Sequence, residues 1–340
     1  MIIRFVLPML AALALSLSNA QAQETKGEVN LYSAQQEHLI RPLLDSFTKD
    51  TGIKVNITTL DPDPMTARLT MEGKDTPADV VLTVNVGNMH KLQQAGMLKA
   101  VQSDVLNANV PESLRSAEGY WYAIGKRARV LFVRKDDDVA ISSYAELADP
   151  KWKNAILVRS SSNEYNISLL ASIIAHEGRE AALAWARGVV ANFARAPQGA
   201  DRDQLRALAA GQGRIAIANT YYYGLLSNSE DPADREYAKK IEMIFPNQDG
   251  RGAHVNIRGG AVTTYSKHPE LAIKLLEYLT SEKAQEILAQ HNFEYPANPS
   301  VEVAKEVASW GEPAFDQTAL DKIGGLNAEA IKVFDEANWP

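Results

Sequence analysis

Hydrophobic and polar positions first alternate at residues 28–33, Glu-Val-Asn-Leu-Tyr-Ser, which predicts a β-strand. Residues 37–51 then place four apolar side chains at helical spacing, and Gly52 ends that segment. A second strand, residues 53–59, comes directly afterwards. A strand, a helix and a strand in succession form a βαβ unit, so we predict a parallel sheet whose ligands bind at the carboxyl ends of its strands.

The alternation of strands and helices continues along the rest of the chain. The dipeptide Lys126-Arg127 is interpreted as a basic turn between two strands, the second of which is long and apolar enough to cross from one lobe to another. From Ser143 the pattern restarts, which predicts an α/β fold with two similar lobes. Further strands are predicted at residues 80–84, 120–123, 128–133, 155–159, 214–218, 241–245 and 261–264, and helices at 65–72, 86–95, 144–148, 165–177, 179–191 and 201–210.

A run of three tyrosines, residues 221–223, follows the predicted strand 214–218. Adjacent strand residues point to opposite faces, so Tyr221 and Tyr222 could share a ligand only if they occupy a turn. The preceding Asn219-Thr220 pair is typical of a helix N-cap, which would place the first tyrosines at a strand-to-helix junction facing a cleft. The run therefore predicts either a metal site or a buried aromatic strand.

A phenol can become a metal ligand when a highly charged hard cation displaces its proton, and ferric iron is the natural candidate because it prefers charged oxygen donors. Tyr165 is a third candidate, since it follows residues 159–164 where another strand leads into a helix. Tyr165 could instead pack against the first helical turn. The serines at 160–162 could cradle an anion or cap the helix.

Residues 1–22 carry one cation, Arg4, then an apolar stretch and the small-residue ending Ala20-Gln21-Ala22, which together predict a secretory signal peptide and a mature chain beginning near Gln23. The apolar stretch falls short of the ~20 residues that span a bilayer. The chain of 340 residues contains no cysteine, so stability must come from packed cores rather than disulfides, and thiolate metal sites are excluded. The formal charge of −7 argues against nucleic acid as a partner.

Motifs for catalysis are weak in this chain. The six histidines lack the spacing of a zinc site, and the sequence has no dinucleotide-binding, P-loop, nucleophile-elbow or EF-hand motif. The segment 61–64, Asp-Pro-Asp-Pro, is interpreted as a turn because of its prolines. A secreted hydrolase that uses Asp63 and Glu37 as paired carboxylates remains a minor alternative.

Eight segments together resemble the ferric-iron-binding periplasmic proteins of ABC transporters, a family of the type II periplasmic binding fold. The resemblance covers nearly everything after the predicted signal peptide. It implies two lobes joined by crossing strands, with the ligand cleft between them. The segments are LYSAQQ (31–36), DTGIKVN (50–56), EGKDTPADVVLT (72–83), GKRARVLFV (125–133), SSSNEYNISL (160–169), NTYYYG (219–224), GAHVNIRGGAV (252–262) and EYPANP (294–299).

The resemblance implies that Tyr221 and Tyr222 are the paired tyrosine ligands of Fe3+ and that Tyr165 is the additional tyrosine found in one subgroup. Tyr223 is assigned to packing. In the first loop, where relatives place a His or Tyr, this chain has Gln36 and Glu37, and Glu37 is kept as a further candidate ligand because a carboxylate is also a hard donor. An acidic ligand found in some relatives falls loosely near Asp63-Pro64.

Iron coordination in this family is completed by a synergistic anion such as carbonate. The resemblance implies that Arg127 or Arg129 neutralises the anion, since a guanidinium offers paired donors to a planar oxyanion. Ser161 and Asn219 are the other anion-binding candidates. An alternative keeps the fold but replaces iron with a small organic solute, such as a polyamine or a phosphonate, bound by aromatic stacking and the arginines.

The family likeness also implies domain boundaries and a role. We predict an N-lobe of residues 23–126 with 252–304 and a C-lobe of residues 127–251 with 305–340. The protein is expected to be a periplasmic solute-binding component of an iron ABC importer, without enzymatic activity. It would act as a monomer and deliver iron to the inner-membrane permease by closure of the lobes.

Overall fold

The computed structural model describes residues 26–340. The predicted signal peptide, residues 1–22, lies outside the described residues. Within the described part of the chain, no helix is both long and apolar enough to cross a membrane.

One mixed sheet of nine strands organises the described residues, in the order β2-β1-β3-β8-β4-β6-β5, with β7 and β9 also pairing with β4. Strand β1 is parallel to both β2 and β3, which confirms the predicted parallel opening. Strand β8 is antiparallel to β3 and β4. The strands are β1 Glu28–Ser33, β2 Lys54–Thr59, β3 Val80–Thr83, β4 Tyr122–Arg134, β5 Ile156–Leu157, β6 Ile215–Asn219, β7 Ile241–Ile244, β8 Val255–Val262 and β9 Tyr295–Pro296.

Strand β4 joins two parts of the sheet. Its residues 122–128 pair with β8, and its residues 129–134 pair with β6 and β7. The predicted basic turn at Lys126-Arg127 is therefore wrong, because both residues are extended members of β4 that pair with Ile257 and Asn256. A basic residue inside a buried strand was unexpected. Arg127 can occupy this position because buried side-chain and backbone groups, rather than solvent, stabilise its charge.

Helices connect most of the strands, and most of them match the predicted segments closely, whereas the predicted helix at 144–148 is a 3-10 helix over Ala145–Ala148. The predicted turn at residues 61–64 is wrong, because this segment forms the beginning of a helix that starts at Pro62. Proline is tolerated in the first helical turn because that turn needs no backbone donor. The helices are α1 Glu37–Thr51, α2 Pro62–Glu72, α3 Val86–Gln94, α4 Asp104–Asn109, α5 Glu164–Glu177, α6 Arg179–Ala191, α7 Asp201–Ala209, α8 Thr220–Ser227, α9 Pro232–Lys240, α10 Pro269–Leu279, α11 Glu282–Asn292, α12 Lys305–Ala308, α13 Leu320–Gly325 and α14 Asn327–Glu336.

Strand β8 also differs from its prediction, because it begins at Val255 rather than at residue 261. All eight of its residues are buried, including Asn256 and Arg258. A prediction based on hydrophobicity alone missed the first part of this strand, because it contains polar residues and the Gly259-Gly260 pair. The predicted lobe boundaries, 23–126 with 252–304 and 127–251 with 305–340, stay a prediction.

Candidate metal-binding site

The tyrosine run lies at the junction of β6 and α8, as predicted. Strand β6 is buried throughout and pairs with β4, so that Asn219 lies opposite Arg129. Helix α8 begins at Thr220, which places Tyr221 and Tyr222 in its first turn. Asn219 occupies the N-cap position without making a side-chain capping bond, because its Oδ1 accepts a hydrogen bond from Arg129 at 3.3 Å.

The three tyrosines of the run separate into two environments. The rings of Tyr221 and Tyr222 lie with their centres 4.0 Å apart and their planes tilted by 31°. Tyr223 points elsewhere, since its ring centre lies 5.9 Å from that of Phe132 and 6.1 Å from that of Trp310. These contacts confirm the packing role predicted for Tyr223.

Tyr165 reaches the same site from the junction between β5 and α5. It is the second residue of α5 and is only 6 % exposed. The helix is capped by Asn163, whose side chain accepts a hydrogen bond from the amide of Asn166 at 3.2 Å. The neighbouring serines do not supply this cap, because the hydroxyls of Ser160 and Ser162 are hydrogen-bonded to each other at 2.9 Å.

A cavity of about 160 Å³ brings the three predicted phenols together. One wall comes from the loops after β1 and β3 and the beginning of α1, and the opposite wall comes from α5, α7 and α8. Charged side chains also line the cavity. The lining residues are Ala34, Gln35, Gln36, Leu39, Val84, Arg127, Tyr165, Arg202, Tyr221, Tyr222, Leu225, Arg258 and Glu294.

Arg127 is a buried cation close to two of the tyrosine rings. Its guanidinium carbon lies 5.4 Å from the ring centre of Tyr165 and 5.8 Å from that of Tyr221. Its side chain also donates to the backbone carbonyl of Val84 and forms an ion pair with Glu294 at 3.3 Å. Burial alone would lower the pKa of Arg127, but the charges of Glu294 and the two tyrosines outweigh burial and hold it above its ordinary value.

The phenols of the run are poor acids in the metal-free protein. Burial raises the pKa of Tyr221 well above its ordinary value, and the neighbouring Tyr165 and Tyr222 raise it further, whereas Arg127 acts in the opposite direction. Burial likewise raises the pKa of Tyr222, with Tyr165 and Asp201 adding to the effect. Both phenols therefore keep their protons at neutral pH, and a cation must displace these protons to bind the oxygens.

Arg129 lies outside the cavity lining, although it was predicted as an alternative anion-binding residue. It is 2 % exposed and forms an ion pair with Asp201. Its other terminal nitrogen donates to Asn166 Oδ1 at 2.8 Å. The contact of Arg129 with Asn219 belongs to this same network, so Asn219 also faces Arg129 rather than the cavity.

Glu37 and Ser161 are likewise not brought to the three phenols. The carboxylate of Glu37 is about half exposed and pairs with Arg41 one helical turn away. Ser161 lines a separate cleft of about 430 Å³, together with Asp63. Among residues 26–340, no group of three His, Asp or Glu side chains is placed to hold a metal ion.

Arg258 and Glu294 line the cavity and were not predicted. Arg258 belongs to β8, and Glu294 lies just before β9. Both fall inside segments that carried the family resemblance, but neither segment alone indicates a buried ion pair. The only signal in the sequence was the presence of a charged residue within an otherwise apolar or small-residue stretch.

Comparisons with known proteins agree with the fold described above. A family model described as bacterial extracellular solute-binding protein matches residues 75–315. Iron uptake protein A1 of Synechocystis sp. is 46% identical over 94% of this chain and 91% of its own length. A Trichodesmium protein, IdiA or FutA, solved in complex with iron and citrate ligands, shares 45% identity with a TM-score of 0.89 and covers 92% of this chain and 100% of its own. The ferric binding protein of Campylobacter jejuni shares 39% identity with a TM-score of 0.88, again over 92% of this chain and 100% of its own.

Proposed function

Since the chain belongs to the family of bacterial extracellular solute-binding proteins, we propose that it is the ferric-iron-binding component of an ABC importer. We further propose that the cavity holding Tyr165, Tyr221 and Tyr222 is where the iron binds. The relatives confirm the resemblance and the type II periplasmic binding fold, and they confirm that the role is binding and transport rather than catalysis.

The alternatives are not favoured. The three relatives described above each match more than nine tenths of the chain and are named for iron, and none of the three is named for a polyamine or a phosphonate. The hydrolase alternative needs Asp63 and Glu37 as a pair, but Asp63 is largely exposed and bonded to Lys91, whereas Glu37 is bonded to Arg41. The two carboxylates therefore have separate partners and separate surroundings.

The observation that carries the proposal is the meeting of three phenols from two strand-to-helix junctions in one small cavity. Three phenolates balance the three charges of a ferric ion, and oxygen donors of this charge suit a hard cation. Each phenol must lose its proton to become the phenolate that binds the metal, so the metal ion and the protons compete for the same oxygens. Burial increases this competition at Tyr221 and Tyr222 because it favours their neutral forms.

An anion completes the coordination in our proposal, and Arg127 is the residue that binds it. Arg127 lines the cavity and lies near the rings of Tyr165 and Tyr221. The guanidinium carbon of Arg129 also lies 5.9 Å from the centre of the Tyr165 ring, but Arg129 is outside the cavity lining and is bonded to Asp201 and Asn166. A planar oxyanion fits a guanidinium through paired hydrogen bonds. The opposite wall offers Gln36 to the cavity, while Glu37 projects from α1 towards Arg41.

The proposed setting is the periplasm, where the protein acts as a monomer. The wall of the cavity formed by Gln36 and Leu39 faces the wall formed by α8 across the cleft. Movement of these walls would enclose the ion, and the loaded form would dock on an inner-membrane permease. The crossing strands β4 and β8 are the elements about which this movement occurs.

The proposal is tested by the visible absorbance spectrum of the protein loaded with ferric iron. A phenolate bound to ferric iron produces a charge-transfer band, which no organic solute produces. Calorimetric titration of the metal-free protein with ferric citrate, spermidine and a simple phosphonate separates the classes of ligand. Absence of the band together with binding of either organic solute would overturn the assignment.

A further inference from the structure

Behind the three tyrosines lies a buried triad of charges formed by Arg127, Glu294 and Arg258. Glu294 Oε1 accepts hydrogen bonds from Arg127 Nη1 at 3.3 Å and from Arg258 Nη2 at 3.1 Å. Glu294 Oε2 accepts a third from Arg258 Nε at 3.3 Å. All three side chains are no more than 2 % exposed, and all three residues line the tyrosine cavity.

The backbone is arranged to admit this carboxylate. A Cβ atom on Gly125 of strand β4 would lie 2.7 Å from Glu294 Oε2, so only glycine leaves room there. Glu294 follows Phe293, which adopts a left-handed backbone conformation (φ 54°) that non-glycine residues seldom take. The absence of a Cβ at Gly125 and the left-handed conformation of Phe293 therefore accompany the placement of Glu294 between the two arginines.

The arginines retain unused hydrogen-bonding capacity. Arg127 Nε and Arg258 Nη1 are buried and have no hydrogen-bond partner within residues 26–340. An unpaired buried donor is costly, so a site that leaves two of them beside a cavity is suited to a ligand that accepts hydrogen bonds. Planar oxyanions, such as carboxylates and bicarbonate, have the matching acceptors.

The charges of the site limit which anion fits. Three phenolates cancel the charge of a ferric ion, and Glu294 cancels one of the two guanidinium charges. Among the buried side chains that line the cavity, one positive charge therefore remains, and uncompensated buried charge is costly. Arg129 and Arg159 lie outside this lining, and both are paired with Asp201. Arg202 also lines the cavity, but its side chain is exposed and its charge is screened by solvent.

We propose that Arg258 joins Arg127 in binding the anion that accompanies iron, and that Glu294 restricts this anion to a single negative charge. The inference rests on the proposed function and deepens it. The anion class is a monocarboxylate or bicarbonate, in place of the doubly charged carbonate. Glu294 acts as a positioning residue, because it reaches the anion only through the two arginines that it holds.

The test compares binding of acetate, which carries one charge, with binding of oxalate, which carries two. Both anions are titrated into the metal-free protein by calorimetry and into the iron-loaded protein by the shift of its charge-transfer band. Replacement of Glu294 by Gln (E294Q) keeps the shape of the side chain but removes its charge. We expect the preference for oxalate over acetate to rise about tenfold, since one unit charge in a poorly screened site readily changes binding energy by that amount.

Two further variants separate charge from structure. The double variant E294Q/R258Q leaves Arg127 alone and restores the single positive charge, so it should return the preference to the wild-type value, which a merely structural role would not do. Asp234→Asn (D234N) is the matched control, because Asp234 is a buried carboxylate bonded to Arg206 at 2.7 and 2.9 Å outside the cavity. We expect D234N to leave the preference unchanged.

The outcomes decide between the two levels of the proposal. An unchanged anion preference in E294Q, or the same shift in D234N, overturns the role of Glu294. If E294Q does not fold, Arg258→Gln alone serves, and it must weaken oxalate binding more than acetate binding. A missing charge-transfer band in the wild-type protein counts against the proposed function, whereas the calorimetry of the metal-free protein tests the triad independently of iron.

Discussion

The guanidinium carbon of Arg127 lies 5.4 Å from the centre of the Tyr165 ring. This contact joins a residue of the long strand β4 to the first turn of α5. Arg127 also lies near Tyr221, where its charge acts to lower the pKa of the phenol and so favours the ionised form that binds a metal. The contact therefore connects the strand that joins the two parts of the sheet with the chemistry of the cavity.

Replacement of Tyr221 and Tyr222 by phenylalanine should abolish the charge-transfer band of the iron-loaded protein. The change removes two of the three anionic oxygens while it keeps both rings, so packing is preserved. We expect iron affinity to fall by more than the roughly 10–100-fold that loss of an outer partner of a metal ligand typically causes. Absorbance and competition with a chelator measure the two effects.

Tyr223→Phe is the matched control for the double variant. Tyr223 belongs to the same helical turn, but its ring packs against Phe132 and Trp310 outside the cavity. The charge-transfer band and the iron affinity of the Tyr223→Phe variant should equal those of the wild-type protein. A band that survives in the double variant, or disappears in the control, contradicts the assignment of ligands.

Iron uptake should release protons and become weaker in acid. Because the pKa values of Tyr221 and Tyr222 are raised in the metal-free protein, both phenols are protonated at neutral pH and must ionise to bind. Affinity should therefore rise with pH and fall as the solution is acidified. We expect about three protons per ferric ion, one for each phenolate, measured with a pH indicator in weak buffer. Release of fewer than two protons would mean that the phenols are not the main ligands.

The sequence predicted the two junctions well because their signals are local. A strand followed by an Asn-Thr pair fixed the place of Tyr221 and Tyr222, and a strand followed by a polar loop fixed the place of Tyr165. The buried triad could not be predicted in this way, since Arg127 and Glu294 are 167 positions apart in the chain. Sequence spacing carries no information on such a pairing until the fold is known.

Surface pairing gives Glu37 a structural role apart from the proposed iron site. Its position at the beginning of α1 agrees with the first loop of the family, but Arg41 follows four residues later, on the same helical face. An acidic residue four positions before a basic one commonly forms an exposed pair on a helix. That local signal was present in the sequence and competed with the expectation of a ligand.

Acid should destabilise the metal-free protein through His254. Burial lowers the pKa of His254 to about 3, although neighbouring Asp316 opposes the shift. The unfolded chain binds a proton near pH 6.5 and the folded chain does not, so stability is complete above pH 6.5 and decreases as the pH falls towards 3. The expected loss is about 1.4 kcal/mol for each pH unit in this window.

Urea denaturation at several pH values measures this effect, and His254→Gln is the informative variant. Gln can still contact Ser168, whose hydroxyl lies 3.0 Å from His254 Nε2, but it cannot titrate. The variant should show a flatter dependence of stability on pH between 6.5 and 4. Equal slopes in the variant and the wild-type protein would assign the acid sensitivity to other groups.

Gly125→Ala should destabilise the protein and disturb the triad. The added Cβ would lie 2.7 Å from both Glu294 Oε2 and Leu288 Cδ2, so the carboxylate or the strand must move. Overpacking of this kind costs about 1–3 kcal/mol. Gly250→Ala is the control, since its nearest neighbour would be the carbonyl of Asn247 at 3.9 Å, and it should change stability by less than about 0.5 kcal/mol. Thermal unfolding compares the two, and equal effects would show that the space beside Gly125 is not restricted.

Two single variants, Arg127→Gln and Arg129→Gln, separate an arginine that affects iron binding from an arginine that stabilises the fold. Arg127 lowers the pKa of Tyr221, so its loss raises that pKa further and should move the half-release of iron to higher pH. Arg129 is bonded to Asp201, and its loss leaves a buried carboxylate with Arg159 alone, at a cost of about 3–5 kcal/mol in stability.

The two arginine variants are compared by the pH at which half of the charge-transfer band is lost and by the urea midpoint of the metal-free protein. Arg127→Gln should shift the release of iron by more than any shift in Arg129→Gln. Arg129→Gln should lower the urea midpoint while iron, once bound, is released at the wild-type pH. Because both arginines are fully buried on the same strand, general damage to β4 would produce similar shifts in both variants. Arg127 is supported as the cation of the site only if Arg127→Gln shifts the pH of iron release more than Arg129→Gln does. If only Arg129→Gln shifts that pH, the role belongs to Arg129.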